Sequence, residues 1–178
     1  MAERPLVLVS VGTDHHPFER LMGWVERWLD ARAGSVRCVV QHGTSRPPRG
    51  AECHDMLAHD ELQTLMREAD AVVCQGGPGG IMESRIAGRL PIVVPRTAAL
   101  GEHVDDHQVR FTHVLATHGR IALAVTEPEF AAHLEKALAD PEGYRAEHDE
   151  SAAEATAVRF GELVRGVVAR PRRGLLRR

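Results

Sequence analysis

Asp70-Ala-Val-Val-Cys-Gln-Gly-Gly-Pro-Gly-Gly-Ile-Met-Glu83, followed by Pro91-Ile-Val-Val-Pro95 and Gly101-Glu-His-Val-Asp-Asp-His-Gln108, decides the fold of this 178-residue chain. Residues 71–74 form an apolar strand that runs into a glycine-rich turn, and residues 81–87 form the helix after it. Residues 92–94 are a second buried strand, and a polar loop then leads to a helix capped by Asp105 or Asp106 and ending near Ala116. Both loops leave the same edge of a parallel sheet, where α/β proteins bind ligands. Backbone N–H groups at a helix N-terminus, with glycines permitting close approach, suit a diphosphate. A carboxylate one turn into that helix, Glu83, suits sugar hydroxyls. Together these features suggest a nucleotide-sugar site.

The same grammar extends outward. Leu6-Val-Leu-Val-Ser-Val11 is a continuous apolar run, as expected for a strand covered on both faces. Phe18, Leu21, Met22, Val25, Trp28 and Leu29 recur at helical spacing. Residues 36–40 read as a strand, 52–57 as a short one, and Asp60 as the cap of a helix through Glu68. Residues 121–125 read as the last strand, and Pro128 opens a helix with Phe130, Leu134 and Leu138 on one face. Alternating strands and helices predict a Rossmann-like α/β fold with a doubly wound parallel sheet. One domain is expected over residues 1–168, with 151–168 helical. Residues 169–178, with five arginines, form a basic tail expected to be flexible.

Bulk composition narrows the function. Hydrophobic residues make up 43% and charged residues 26% of the chain, typical of a globular domain. A net charge of −3 provides no global attraction to nucleic acid. Three cysteines without CxxC spacing point to reduced core thiols of a cytoplasmic protein, not a structural zinc site. The first apolar run leads straight into Gly12, unlike a signal peptide, and no run reaches membrane-spanning length. No GxGxxG follows a strand, which counts against NAD. His103 and His107 lie four residues apart, but the sequence alone fixes no third ligand, so no metal is expected.

Val9-Ser-Val-Gly-Thr13, Gln75-Gly-Gly-Pro-Gly-Gly80, Glu83, Pro91-Ile-Val-Val-Pro95 and Asp106-His-Gln108 resemble the C-terminal, donor-binding domain of family 28 glycosyltransferases. The chain is more specifically similar to the small subunit of split glycosyltransferases, as in eukaryotic N-glycan assembly and the PssE-type subunits of bacterial exopolysaccharide assembly. That resemblance implies the C-terminal half of a GT-B fold that binds a UDP-sugar as substrate and needs no cofactor. It implies a membrane-anchored, PssD-like partner subunit carrying the other half, a lipid-linked acceptor, and recruitment to the inner face of the membrane. Carried over to this chain, Gly77, Gly79 and Gly80 take the diphosphate turn, and Glu83 the ribose hydroxyls. Asp106, His107 and Gln108 take the donor sugar, and Gly12 and Thr13 the cleft loop. Two departures stand out: Gln75-Gly-Gly77 replaces the family's frequent His-Ala-Gly, and the segment between Glu83 and Pro91 is one residue longer than in many members.

Arg96, just after a strand, is a candidate to neutralise phosphate. His15 and His16 follow the first strand and are candidates for the general base of an inverting transfer. The reading is therefore a donor-binding catalytic subunit that transfers a hexose-type sugar in polysaccharide or glycolipid assembly. Two alternatives stay open: a non-catalytic UDP-sugar-binding module, and another nucleotide-dependent α/β enzyme such as an oxidoreductase. A face exposed for a partner also offers the isolated chain a route to self-association.

Overall fold

In the computed structural model, which describes residues 4–32 and 34–146, six parallel strands form one sheet. The strands are β1 (Leu6–Ser10), β2 (Arg37–Gln41), β3 (Glu52–His54), β4 (Ala71–Gln75), β5 (Ile92–Val94) and β6 (Ala122–Leu123). The helices are α1 (Glu19–Asp30), α2 (His59–Glu68), α3 (Pro78–Ile86), α4 (His107–Thr117) and α5 (Glu127–Ala139). The strand order is β3-β2-β1-β4-β5-β6, with every pair parallel. The chain winds outward from β1 in one direction and from β4 in the other. The reversal falls between β1 and β4, so the loops leaving those strands flank the crevice where such sheets take ligands.

Both faces of the sheet are covered, which is why its central strands read as unbroken apolar runs. Val7, Val9, Val40, Val73, Ile92 and Val94 face α1 and α5. Leu8, Val39 and Val72 face Leu65 and Met66 of α2. Cys74 and Val93 pack with Ile81 of α3 and with Leu115 of α4. α5 begins with a full capping box: the Thr126 side chain accepts from the Glu129 N–H, and the Glu129 carboxylate accepts from the Thr126 N–H.

Several boundaries differ from expectation. α3 starts at Pro78 rather than residue 81, because proline at the first helical turn needs no N–H partner and carries Gly79 and Gly80 into the helix. The strand expected over 52–57 covers only Glu52–His54, and that expected over 121–125 only Ala122–Leu123. α2 begins at His59, and Ala58, not Asp60, stands at its N-cap. Asp106 occupies the N-cap position of α4 without capping it: its carboxylate accepts from the Ala98 N–H at 2.8 Å instead. The expected helix over 151–168 and the basic tail lie outside the described residues. Among the described residues, no helix is long and apolar enough to cross a membrane.

Candidate functional site at the sheet reversal

β4 ends at Gln75, and Gly76 and Gly77 turn the chain into α3. The amides of Gly79 and Gly80 lie in the first turn of that helix, where no intrahelical carbonyl stands four residues back to accept from them. No acidic side chain occupies this turn, so the positive end of the helix dipole is uncompensated. A Cβ at Gly79 would meet nothing within 4 Å, so the helix mouth is open there. Glu83 stands one turn further on, half-buried, its Oε1 3.9 Å from Nδ1 of His59 on α2. The fold thus brings Gly77, Gly79, Gly80 and Glu83 onto one helix start at the crevice, the glycine amides first and the carboxylate one turn later.

The loop after β1 forms the opposite wall. Gly12 has φ 74°, a left-handed conformation that favours glycine, and a Cβ there would lie 2.8 Å from Nε2 of Gln75. A Cβ on Gly77 would lie only 2.4 Å from the same nitrogen. The Gln75 amide therefore sits between two bare backbones at the reversal. Its Oε1 accepts from Gln108 Nε2 at 2.6 Å, which leaves the Nε2 hydrogens directed away from Gln108. Gln75, which in the sequence stood out only as a departure from the family pattern, thus lies at the reversal itself. Thr13, beside Gly12, is exposed.

Two expected ligand residues are placed differently from their sequence reading. Gln108 is buried, and both ends of its amide are engaged within the protein: Nε2 with Gln75, and Oε1 with the Arg96 N–H at 3.1 Å. It supports Gln75 from beneath instead of facing a sugar. Arg96 is fully buried, with 0% exposure. Its Nη1 donates to the carbonyls of His16 (2.6 Å) and Glu102 (3.2 Å), and its Nη2 to that of Val11 (3.2 Å). The guanidinium also lies 4.7 Å from the Phe18 ring centroid. Burial lowers its pKa, while nearby Asp14 and Glu102 oppose that shift. The expected phosphate contact by Arg96 is corrected accordingly: its guanidinium is taken up by backbone carbonyls, two of them tying the β1 loop to the β5 loop and the third bracing the β5 loop itself. A second clamp joins α1 to this loop, where Arg20 makes a bidentate pair with Glu102 at 2.8 and 2.9 Å.

Above these clamps lies a cluster of imidazoles and carboxylates. Asp14 Oδ1 accepts from both the backbone N–H and Nδ1 of His16, each at 2.7 Å. Burial alone would raise the Asp14 carboxyl, but these bonds and the Arg96 charge hold it below the usual range. With Nδ1 held against the Asp14 carboxylate, Nε2 is the His16 nitrogen on the far side of the ring from it. His15 is far more exposed, at 85% of its side chain, and stacks on His16 with centroids 4.1 Å apart. Across the crevice, His103 places Nε2 3.4 Å from Asp14 Oδ2, and its ring packs edge-on to His107 at 4.6 Å. Asp105 accepts from the His107 backbone N–H and contacts its Nδ1. Those contacts from His107 hold the Asp105 carboxyl below its usual range. His103, Asp105 and His107 are one group that could hold a metal, and Asp14, His15 and His16 another.

A separate groove of about 390 Å³, lined by Trp28, Ala31, Arg32, Ser35 and Glu135, lies by the start of β2, at the opposite end of the strands from these loops. The Arg32–Glu135 ion pair runs along it.

A six-stranded parallel sheet covered by helices, with its strand order reversing between β1 and β4, defines the Rossmann-like class of α/β domains. Residues 6–160 match the glycosyltransferase family 28 C-terminal domain, and the chain belongs to that family. Solved structures with the same fold include the glycosyltransferase of kitacinnamycin, at 20% identity and a TM-score of 0.56 over 78% of this chain and 36% of that one. MurG of Acinetobacter baumannii is similar at 20% identity and 0.56, covering 81% of this chain and 44% of that one. The calicheamicin glycosyltransferase CalG4 matches at 15% identity and 0.54, covering 94% and 43%. The chain thus spans less than half the length of each. Comparison with curated protein sequences finds no match.

Proposed function

We propose that this chain is the donor-binding half of a glycosyltransferase, and that it holds a UDP-sugar at the reversal between β1 and β4. The observation that carries the reading is the open, uncompensated N-terminus of α3 with Glu83 one turn behind it. The Gly79 and Gly80 amides take the diphosphate, and the Glu83 carboxylate takes the ribose hydroxyls in a charge-assisted contact. Gln75 Nε2 is placed to add a donor to the same diphosphate. His107 and Asp106, exposed on the rim, face the sugar.

The reaction is an inverting displacement. The acceptor hydroxyl attacks the anomeric carbon, the bond to UDP breaks, and His16 Nε2 takes the hydroxyl proton while Asp14 steadies the imidazolium. Negative charge growing on UDP falls at the helix mouth, where pre-oriented amides stabilise it.

A lipid-linked acceptor and a membrane-anchored partner subunit complete the reading, with the chain held at the cytoplasmic face of the membrane by that partner. Exposed apolar side chains support it: Phe111 and Val114 share the His107 face of α4, and Leu100 and Val104 lie on the loop before it.

Calorimetric titration of UDP into wild type and Glu83→Ala tests the donor site. The expected result is saturable binding that the substitution weakens by about 1–3 kcal/mol, the scale of a lost charge-assisted contact. Binding unchanged by Glu83→Ala would remove Glu83 from the site. Full-rate transfer to a lipid-linked acceptor by the isolated chain would refute the need for a partner.

A further inference from the structure

We propose that His103, Asp105 and His107 form a site for a divalent transition-metal ion of the zinc, cobalt and nickel class. One ligand atom from each of the three lies within 4.8 Å of the other two. Tetrahedral coordination at Zn–N distances of about 2.0–2.1 Å needs ligand atoms about 3.3 Å apart; the His103 Nδ1–Asp105 Oδ1 pair closes to it from 3.8 Å, and the His107 Nδ1–Asp105 Oδ1 pair opens to it from 2.5 Å. Imidazole nitrogens favour these metals over magnesium or calcium. Three protein ligands leave a fourth position open to water or to a ligand oxygen in the crevice.

The surroundings of His103 carry the inference further than proximity. Its Nδ1 accepts from the Asp105 N–H at a long 3.4 Å, so the Nδ1 lone pair faces the cluster. That tautomer puts the proton on Nε2, which lies 3.4 Å from Asp14 Oδ2. A ligating imidazole whose other nitrogen donates to a carboxylate is the usual support for a metal-bound histidine. Asp14 is itself held by the His16 backbone N–H and ring, so the supporting carboxylate is fixed before any metal arrives. The Asp14–His15–His16 group is the poorer candidate, because the His15 side chain is 85% in solvent whereas that of His103 is 14%. The sequence showed only the i, i+4 histidine pair; the fold adds Asp105 as third ligand and Asp14 as its support. The site does not depend on the donor reading.

The test is titration of Co²⁺ into the tag-free, chelator-treated full chain, followed by visible d–d absorption, with Zn²⁺ added afterwards as competitor. The expected result is saturation at one equivalent, the intense bands of low coordination, and their loss on adding Zn²⁺. His103→Ala and His107→Ala abolish the signal, and His15→Ala leaves it unchanged. Asp14→Asn, which removes no ligand, weakens binding by about 10- to 100-fold. Circular dichroism checks that each variant folds. If His103→Ala does not fold, His107→Gln decides, since that ring is half in solvent. No saturable Co²⁺ signal, or one that survives loss of His107, overturns the proposal. So does a signal that follows His15.

Discussion

Gln108 Nε2 donates to Gln75 Oε1 across 2.6 Å, and this bond joins the first turn of α4 to the end of β4. The other end of the Gln108 amide accepts from the buried Arg96 N–H, so one side chain links three segments at the sheet reversal. Replacing Gln108 with alanine strands the Arg96 N–H in the interior and frees Gln75 to turn. The expected cost is about 1–3 kcal/mol, the penalty for a buried donor left unmade. Urea denaturation checks it: the midpoint falls while the slope is unchanged. UDP affinity falls with it in the calorimetric titration. An unchanged midpoint would mean the amide link is not formed.

Arg96 is the larger structural commitment. Its guanidinium serves three carbonyls from two loops, close to Asp14 and Glu102. Arg96→Met leaves those oxygens and charges without their cation, and removing one partner from a buried charge assembly costs about 3–5 kcal/mol. Arg96→Lys keeps the charge but loses the planar fork, so it recovers only part of the loss. Thermal unfolding of the three proteins separates these terms. A lysine variant as stable as wild type would show that charge alone, not the fork, holds the loops.

These two residues also mark where the sequence stopped being legible. The strands could be read because both sheet faces are covered, which makes runs such as Leu6–Ser10 and Ile92–Val94 apolar throughout. The strand, glycine turn and helix carrying Glu83 could be placed because the pattern is local: all three follow within fourteen residues, Asp70 to Glu83. Arg96 could not, because an arginine just past a strand reads as surface unless its partners are known, and His16 and Val11 lie 80 and 85 residues away. The inward turn of Gln108 and the Arg20–Glu102 clamp are long-range in the same way. The start of α3 was misread for a different reason: Gly79 and Gly80 are poor helix formers, yet the helix includes them.

Acid should loosen the β1 loop through Asp14. Its folded pKa lies below the ordinary 3.8, because the hydrogen bonds from His16 and the Arg96 charge outweigh burial. A depressed carboxylate contributes stability that is fully present above the unfolded value and is lost as pH falls through the folded one. Asp14→Asn should therefore be less stable than wild type near neutrality, and the gap should close as pH drops below 3.8. Melting temperatures across that range report it. A gap that stays constant to the lowest pH would show that the carboxylate charge does not contribute.

Gly79→Ala separates the needs of the helix from those of the site. Position 79 has open space around its missing Cβ, and its φ is not in the left-handed region. Alanine there carries no steric cost, and relief of glycine's excess chain entropy should stabilise the protein by roughly 0.5–1 kcal/mol. If the amides of this turn receive the diphosphate, the same methyl group stands in its path. The expected outcome is a higher unfolding midpoint together with weaker UDP binding. Ordinary structural glycines do the reverse, losing stability while distant binding is unaffected. Stability and affinity rising together would place the diphosphate elsewhere, because a ligand seated on this turn cannot ignore a methyl group at its mouth.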